Sequence, residues 1–280
     1  MMKRCDLHTH SVYSDGTWTP RQLLEEAQRK GLAAIALTDH NTVKGLPDFI
    51  EAAKDYQVQA VPGVEFSSDY EEKDVHILAL FVKPEHYDDI TSVLAEAQAR
   101  KEESNRRLVE NLCRAGMQLD YDEICAGAAG SINRAHIAGE MTRLGYTASV
   151  KDAFARFLAP EHGFYQPPRR MSSFEAIRYI KSLGAVAVLA HPLLTFTEER
   201  LRRFLQEAQG RGLDAMETEY STYDVETTCL AREIAAEFGL LQSGGSDFHG
   251  SRKPDIQLGE GRGTVSVALS VLENLKKRAN

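Results

Sequence analysis

Cys5-Asp6-Leu7-His8-Thr9-His10, then Thr19-Pro20 opening a helical spacing that closes at Lys30-Gly31, then Ala33-Ala34-Ile35-Ala36-Leu37-Thr38-Asp39-His40: this stretch decides the fold. Two short apolar runs, each ending in histidine, flank a helix-like segment. Thr19 supplies an N-cap, Pro20 suits the first helical position and Gly31 closes the helix. The result is a strand–helix–strand unit whose polar residues gather where the strands end. The alternation continues with a helix over 46–56, a strand to Glu65, a strand over 75–82 and a helix from about Glu85. After residue 172 it resumes. Ser172 or Ser173 caps a helix to about Leu183, followed by a strand to Ala190, a helix to Gln209, a strand over 213–218, a helix to Phe238 and a strand to Gly244. Seven strands alternating with helices predict an α/β, barrel-like fold.

Between the two halves the pattern changes. Residues 106–115, 133–144 and 149–158 read as consecutive helices with no strand between them, ending in a loop over 160–170. The expected organisation is therefore a barrel of 1–100 and 171–280 with a helical insertion of 101–170 that shapes the substrate pocket. At 280 residues, 42% of them hydrophobic, the chain can bury a sizeable core.

A net charge of −8 argues against a broad electrostatic grip on nucleic acid, while a local positive site, and with it a phosphate substrate, stays open. The four cysteines, Cys5, Cys113, Cys125 and Cys229, form no CxxC pair, which favours free thiols in a reducing compartment. The start lacks the apolar stretch of a signal peptide and no apolar run is long enough to span a bilayer, so the expected location is cytoplasmic with no membrane partner.

Six histidines and three carboxylates stand near the ends of the strand-like runs: His8, His10, Asp15, His40, Glu65, His76, His191, Asp247 and His249. In His8-Thr9-His10 and Asp247-Phe248-His249 the polar residues are two apart, so in a strand each pair faces one side. A lone His76 or His191 is ordinarily a satisfied core histidine. Nine such residues at successive strand ends read as ligands of a metal cluster. Nitrogen and oxygen donors without thiolate suit Mn, Fe or Zn better than Ca or Mg. At roughly three or four protein ligands per catalytic ion, nine imply two or three ions. Three divalent ions against three carboxylates leave about +3, an attractor for phosphate.

The motifs His8-Thr9-His10-Ser11 with Ser14-Asp15-Gly16, Thr38-Asp39-His40, Gly63-Val64-Glu65, Val75-His76-Ile77-Leu78, Ala190-His191-Pro192 and Gly245-Ser246-Asp247-Phe248-His249 resemble, in order, those of the PHP (polymerase and histidinol phosphatase) family of metal-dependent phosphoesterases. The resemblance implies a distorted (β/α)7 TIM-like barrel with an inserted small helical domain and a trinuclear centre. It implies that His8, His10, Glu65 and Asp247 hold one metal, Glu65, His76 and His191 a second, and Asp15, His40 and His249 the third, with Glu65 bridging. Glu65, Asp247 and His191 are the residues on which catalysis is expected to depend.

The insertion narrows the likeness. Asn133-Arg134-Ala135-His136-Ile137-Ala138 and Gly163-Phe164-Tyr165 with Arg169-Arg170 are similar to insert motifs of the subgroup that includes nucleoside 3′,5′-bisphosphate phosphatases, where an Arg and a His reach the substrate phosphate. That implies substrate binding by Arg134 and His136, converging if Ser131 or Asn133 caps their helix. Arg169 and Arg170 join them as candidates, although Gln166-Pro167-Pro168 departs from the subgroup's pattern. The expected activity is hydrolysis of a small phosphate ester by a metal-bound hydroxide, on a nucleotide such as a nucleoside 3′,5′-bisphosphate or on a cyclic sugar phosphate. A short oligonucleotide is not excluded. A metal-dependent amidohydrolase and a non-catalytic metal-bearing module are the rival classes. The absence of a Walker loop, a GxSxG elbow and a reactive-cysteine motif fits chemistry without a side-chain nucleophile. Lys253 could reach a phosphate or stand exposed in its loop, and Lys276-Lys277-Arg278 reads as a charged helix end.

Overall fold

The computed structural model describes residues 3–126 and 132–279. The chain divides into two compact units, one formed by the residues up to Ser92 and from Met171 onward, the other by Val93–Arg170.

The first unit is built on β1 (Arg4–Asp6), β2 (Leu32–Leu37), β3 (Gln59–Tyr70), β4 (Lys73–Leu80), β5 (Val186–Leu189), β6 (Ala215–Tyr220), β7 (Leu241–Gly245) and β8 (Val267–Ala268). They form one eight-stranded sheet in the order β7-β6-β5-β4-β3-β2-β1-β8. The sheet nearly closes on itself because the chain just after β1 bonds to β7: Leu7 N–H donates to Gly244 O (3.2 Å) and Asp247 N–H to His8 O (2.8 Å). That seam needs glycine, since a Cβ on Gly245 would stand 2.5 Å from His8 N. β2 and β5 are apolar along their length and almost wholly buried, as expected of interior strands covered on both faces.

Helices α1 (Pro20–Arg29) and α2 (Leu46–Ala53) link β1, β2 and β3. Thr19 caps α1 in a capping box with Gln22, and Gly31 takes a left-handed φ of 68° just beyond it. α7 (Ser173–Ser182) starts from Ser172 in a second capping box, with Glu175. α8 (Pro192–Thr195), α9 (Glu198–Ala208), α10 (Val225–Glu237) and α11 (Leu269–Lys276) complete the unit. Leu7, Val61, Leu78, Val188 and Val267 belong to one buried core cluster.

The strand at 75–82 differs from the simple alternation. It is the second arm of a hairpin: β4 runs antiparallel to both β3 and β5. The two-residue turn is Glu71-Glu72, with φ of 50° and 63°, the positive pair typical of tight hairpins. Arg200 and Arg203 hold the Glu71 carboxylate at 2.7 and 2.6 Å. The short β8, antiparallel on the outer edge of β1, has no counterpart in the sequence pattern.

The helices read separately from Glu85 and over 106–115 are one 28-residue element, α3 (Tyr87–Arg114), whose first residues belong to the first unit and whose remainder, from Val93, opens the second. It is followed by α4 (Tyr121–Ala126), α5 (Arg134–Arg143) and α6 (Val150–Ala153), which widens into a π turn over Phe154–Leu158. Leu108, Leu112, Ile137, Met141 and Leu158 are fully buried together, each such side chain contributing about 1.5–3 kcal/mol. Among the described residues no helix is long and apolar enough to cross a membrane.

Candidate metal centre

Glu65, on β3, is the middle of the site and is wholly buried. Its Oε2 lies 3.1 Å from His8 Nε2, 3.2 Å from His10 Nε2 and 3.1 Å from His40 Nδ1. Its Oε1 lies 2.8 Å from His76 Nδ1 and 3.2 Å from His191 Nε2. His8 and His10 follow β1, His40 follows β2 and His191 follows β5, so parallel strands deliver them to one end of the barrel, where barrel enzymes place their chemistry. His76 comes from the first half of β4 and reaches the same end only because β4 is antiparallel.

Five imidazoles around one carboxylate exceed its roughly four lone-pair sites. His8 and His191 meet Glu65 in hydrogen-bond geometry, but His10 Nε2 and His76 Nδ1, as close, do not. Among the described residues both are buried without a hydrogen-bond partner, as are His10 Nδ1 and His191 Nδ1. Orphaned buried nitrogens are costly. Ligand atoms about 2.1 Å from one cation at octahedral or tetrahedral angles stand about 3.0–3.4 Å apart, and the contacts of His8, His10, His40 and His191 with Glu65 have that spacing. The donor set fits divalent ions. Four groupings bring ligand atoms within 4.8 Å of one another: His8, His10 and Asp247; His8, Glu65 and His191; His40, Glu65 and His76; and His10, Asp15, His40 and His249. All nine candidate ligands are thereby brought together, with His8, His10, His40 and Glu65 each in two of the groupings.

The charges follow from this crowding. Burial opposes protonation of His8, but Glu217, Glu65 and Asp247 outweigh it and raise its pKa well above the ordinary value. By the same balance His10 rises to about 9 and His76 to about 10, drawn by Glu65 with Asp247 or Asp74. His40, where burial prevails, falls to about 4. Glu65 and Asp247 are held well below the usual carboxylate range, since the surrounding imidazoles overcome the cost of burial. Asp15 is lowered too, against its partial burial, chiefly by His249.

The loop carrying Asp15 is held from β2. Asp39 accepts from Ser11 N–H and Ser11 Oγ (2.7 Å each) and from Ser14 Oγ (2.6 Å), so Asp39 orders a loop rather than an imidazole. His249 Nδ1 lies 2.8 Å from Asp247 O, which turns Nε2 toward Asp15 Oδ1 at 3.2 Å. His191 and Asp247 have left-handed φ values of 31° and 52°. Such strain costs of order 1–3 kcal/mol and persists where surroundings enforce it, typically at functional sites.

Several residues of this centre carry no motif signal. Glu217 on β6, fully buried, lies 2.9 Å from His8 Nδ1 and accepts from His191 N–H at 2.7 Å. Tyr220 O–H (2.7 Å) and Lys253 Nζ (2.6 Å) both donate to Asp247 Oδ2. That leaves Asp247 Oδ1 toward His10 Nε2 (3.1 Å) and His8 Nε2 (3.5 Å). Asp6 joins the seam, accepting from Ser246 N–H and Gly259 N–H at 2.9 and 2.7 Å.

The candidate substrate residues lie in the other unit. Asn133 is the N-cap of α5, so Arg134 is its first helical residue and His136 its third. Ser131, the alternative cap, is outside the described residues. Arg134 donates to Leu158 O at 2.9 Å and lies over the rings of Tyr165 (4.3 Å) and Phe154 (5.4 Å). His136 Nδ1 accepts from Asn133 N–H in the capping box. Arg169 lines a cavity of about 280 Å³ with Arg100, Arg107 and Gln166. Arg169 and Arg170 are both engaged with neighbours.

The PHP domain model matches residues 6–164, more than half of the chain, and the chain belongs to that family. His191, Asp247 and His249 lie beyond the matched span. The chain is 31% identical over 250 residues to a 5′-3′ exoribonuclease of Haemophilus influenzae, covering 89% of this chain and 91% of that protein. It is 28% identical over 283 residues to a 3′,5′-nucleoside bisphosphate phosphatase of Chromobacterium violaceum, covering 99% and 98%. A solved structure from Bifidobacterium adolescentis, of a protein assigned as a metal-dependent phosphoesterase, matches with a TM-score of 0.70 at 30% identity, covering 99% of this chain and 97% of that one.

Proposed function

We propose that this metal-dependent phosphoesterase acts on a nucleotide with phosphate on both the 3′ and 5′ sides of its ribose, either a free nucleoside 3′,5′-bisphosphate or the 5′ end of a short RNA. The observation that carries the metal dependence of the reading is the set of buried imidazole nitrogens around Glu65 that lack hydrogen-bond partners among the described residues. Two or three divalent ions of the Mn, Fe or Zn type, when bound by the nine ligands, supply charge that activates water near neutral pH and stabilises phosphoryl oxygens. The chain's own part is placement. Glu65 spans two of the groupings, Asp247 presents Oδ1 while Tyr220 and Lys253 occupy Oδ2, and His191 meets Glu65 at Oε1. No side chain is needed as nucleophile.

Similarity to an exoribonuclease and to a bisphosphate phosphatase supports one substrate class. Trimming RNA one nucleotide at a time from its 5′ end breaks the ester between the first 3′ oxygen and the next phosphate. A nucleoside 3′,5′-bisphosphate is the smallest molecule that presents that ester beside a 5′ phosphate. A chain of net charge −8 offers long nucleic acid no general hold, which favours short ends. The motif resemblance assigns a substrate phosphate to Arg134 and His136, and Arg169 and Arg170 are further candidates beside them.

The test is hydrolysis by Mn²⁺-loaded protein of a nucleoside 3′,5′-bisphosphate, 5′-phosphorylated and 5′-hydroxyl trinucleotides, a cyclic ribose phosphate and an amide. Losing charge-assisted hydrogen bonds worth about 1.5–3 kcal/mol should make the 5′-hydroxyl RNA about 10- to 100-fold poorer. Fastest turnover of the cyclic phosphate overturns the substrate assignment. Turnover of the amide alone overturns the class.

A further inference from the structure

Strand β6 reads Ala215-Met216-Glu217-Thr218-Glu219-Tyr220, and strict alternation would put Glu217 and Glu219 on one face and Tyr220 on the other. The strand is not regular. Glu217 pairs with Ser243 and Glu219 with Gly244, a shift in register that leaves Thr218 as an extra residue. One extra residue inverts the alternation. Glu219 therefore points out, to Arg232 (2.9 Å) and Ser266 N–H (2.9 Å). Glu217 and Tyr220, three apart, both reach the metal centre.

Among the described residues no lysine or arginine pairs with Glu217, and its side chain is 0% exposed. A lone buried carboxylate costs several kcal/mol unless its oxygens are satisfied. Here Oε1 takes the His8 ring at Nδ1 and Oε2 takes the main-chain N–H of His191. The first contact puts the His8 proton on Nδ1, because a carboxylate can only accept. His8 Nε2 faces Glu65 and Asp247, which also only accept, so with Nδ1 keeping its proton for Glu217 it is the Nε2 proton that a bound metal would displace. The second contact ties down the backbone of His191 in its left-handed conformation.

We infer that Glu217 is a positioning residue of the metal centre, on the inner face that the β6 bulge lets it share with Tyr220, fixing two ligands at once, the ring tautomer of His8 and the main chain of His191. The inference rests on the reading of His8 and His191 as ligands. It requires an acceptor at both oxygens. Glu217→Gln offers one acceptor and one donor. Its amide either meets His191 N–H donor to donor or donates to His8 Nδ1, which moves the ring proton to the nitrogen that should bind metal. Glu217→Asp keeps the charge but is one methylene too short to reach both partners.

The test uses the full chain and Zn²⁺, with affinity read by chelator competition and stoichiometry by elemental analysis. Loss of such supporting contacts typically costs about 10- to 100-fold in metal affinity, so Glu217→Gln should bind at least one Zn²⁺ that much more weakly, Glu217→Asp falling between it and the parent chain. Unchanged affinity and stoichiometry in Glu217→Gln overturn the inference while the ligand reading stands. A parent chain that takes up no Zn²⁺ overturns the ligand reading and this one with it. Should Glu217→Gln not fold, the Zn²⁺-loaded parent chain decides. Long-range ¹H–¹⁵N correlation, with His8 identified by the signal lost in His8→Gln, should show Nδ1 protonated and Nε2 bound to zinc. Zinc on Nδ1 overturns it.

Discussion

The polar residues of the barrel and those of the helical unit differ in whether the fold already uses them. Around Glu65, His10 Nε2, His76 Nδ1 and His191 Nδ1 are buried with no hydrogen-bond partner among the described residues. In the helical unit Arg134 donates to Leu158 O and rests on Tyr165, and His136 completes the capping box of α5. Unused buried polarity points to an absent partner. Used polarity explains itself, and a functional role has to be shown on top of the structural one.

The most severe way to break that contrast is Glu65→Gln. Removing the carboxylate between the imidazoles should lower kcat/KM by at least about 10²- to 10³-fold, the scale of losing a central electrostatic element, with metal content reduced and far-ultraviolet circular dichroism unchanged. Full metal content and activity in Glu65→Gln would show that the crowded imidazoles are mere packing.

A chelation experiment sharpens the contrast further. In metal-free protein His10 and His76, raised to about 9 and about 10, bind protons more tightly folded than unfolded. Their contribution is complete below the unfolded value of about 6.5 and is lost as pH rises through 9 to 10. Glu65 and Asp247, held low, contribute above about pH 4.5 and lose that contribution on further acidification. His40, lowered to about 4, acts the other way and costs stability as pH falls below about 6.5, so metal-free protein should melt at its highest temperature near pH 6.5 and several degrees lower by pH 9. The metal-loaded protein should show the opposite slope above pH 6.5, because protons no longer compete with metal for the ligands. Parallel slopes from scanning calorimetry of the two forms would contradict the assignment.

The smallest effect belongs to the helical unit. Arg134→Ala removes a hydrogen bond worth about 1 kcal/mol and a ring contact worth about 0.5–1 kcal/mol, so the melting temperature should drop by about 3–8 °C with metal content intact. His136→Ala should cost less. If Arg134→Ala leaves the melting temperature unchanged yet impairs turnover of a bisphosphate, the residue is held for substrate alone.

How much of this was legible in the sequence varied with the physics behind each element. The apolar runs of β2 and β5, the Thr19-Pro20 and Ser172 caps and the strand-end histidines declare themselves, because periodicity and capping are local. The hairpin of β3 and β4 does not. Its turn is Glu71-Glu72 where Asn-Gly would be the signal, and the arginines that hold Glu71 come from α9, about 130 residues away. The single length of α3 was hidden by its polar middle. Glu217 escaped for a different reason: a bulge is set by neighbouring strands, and reading β6 by strict alternation groups Glu217 with the outward Glu219.

The barrel seam has a consequence for the order in which the protein is made. Asp6 and Ser246, bonded across it, are 240 residues apart, and His8 and Asp247 meet beside them. Bringing such distant points together costs on the order of 5 kcal/mol of chain entropy, which only a nearly finished sheet repays. During synthesis the strands from β1 to β6 can assemble in sequence, but the ligands that follow β7 leave the ribosome last. A partly made chain thus holds His8, His10 and Glu65 without Asp247 or His249. The groupings of Glu65 with His40 and His76 and with His8 and His191 need no residue later than His191, whereas the full set of nine ligands is assembled only when the barrel closes.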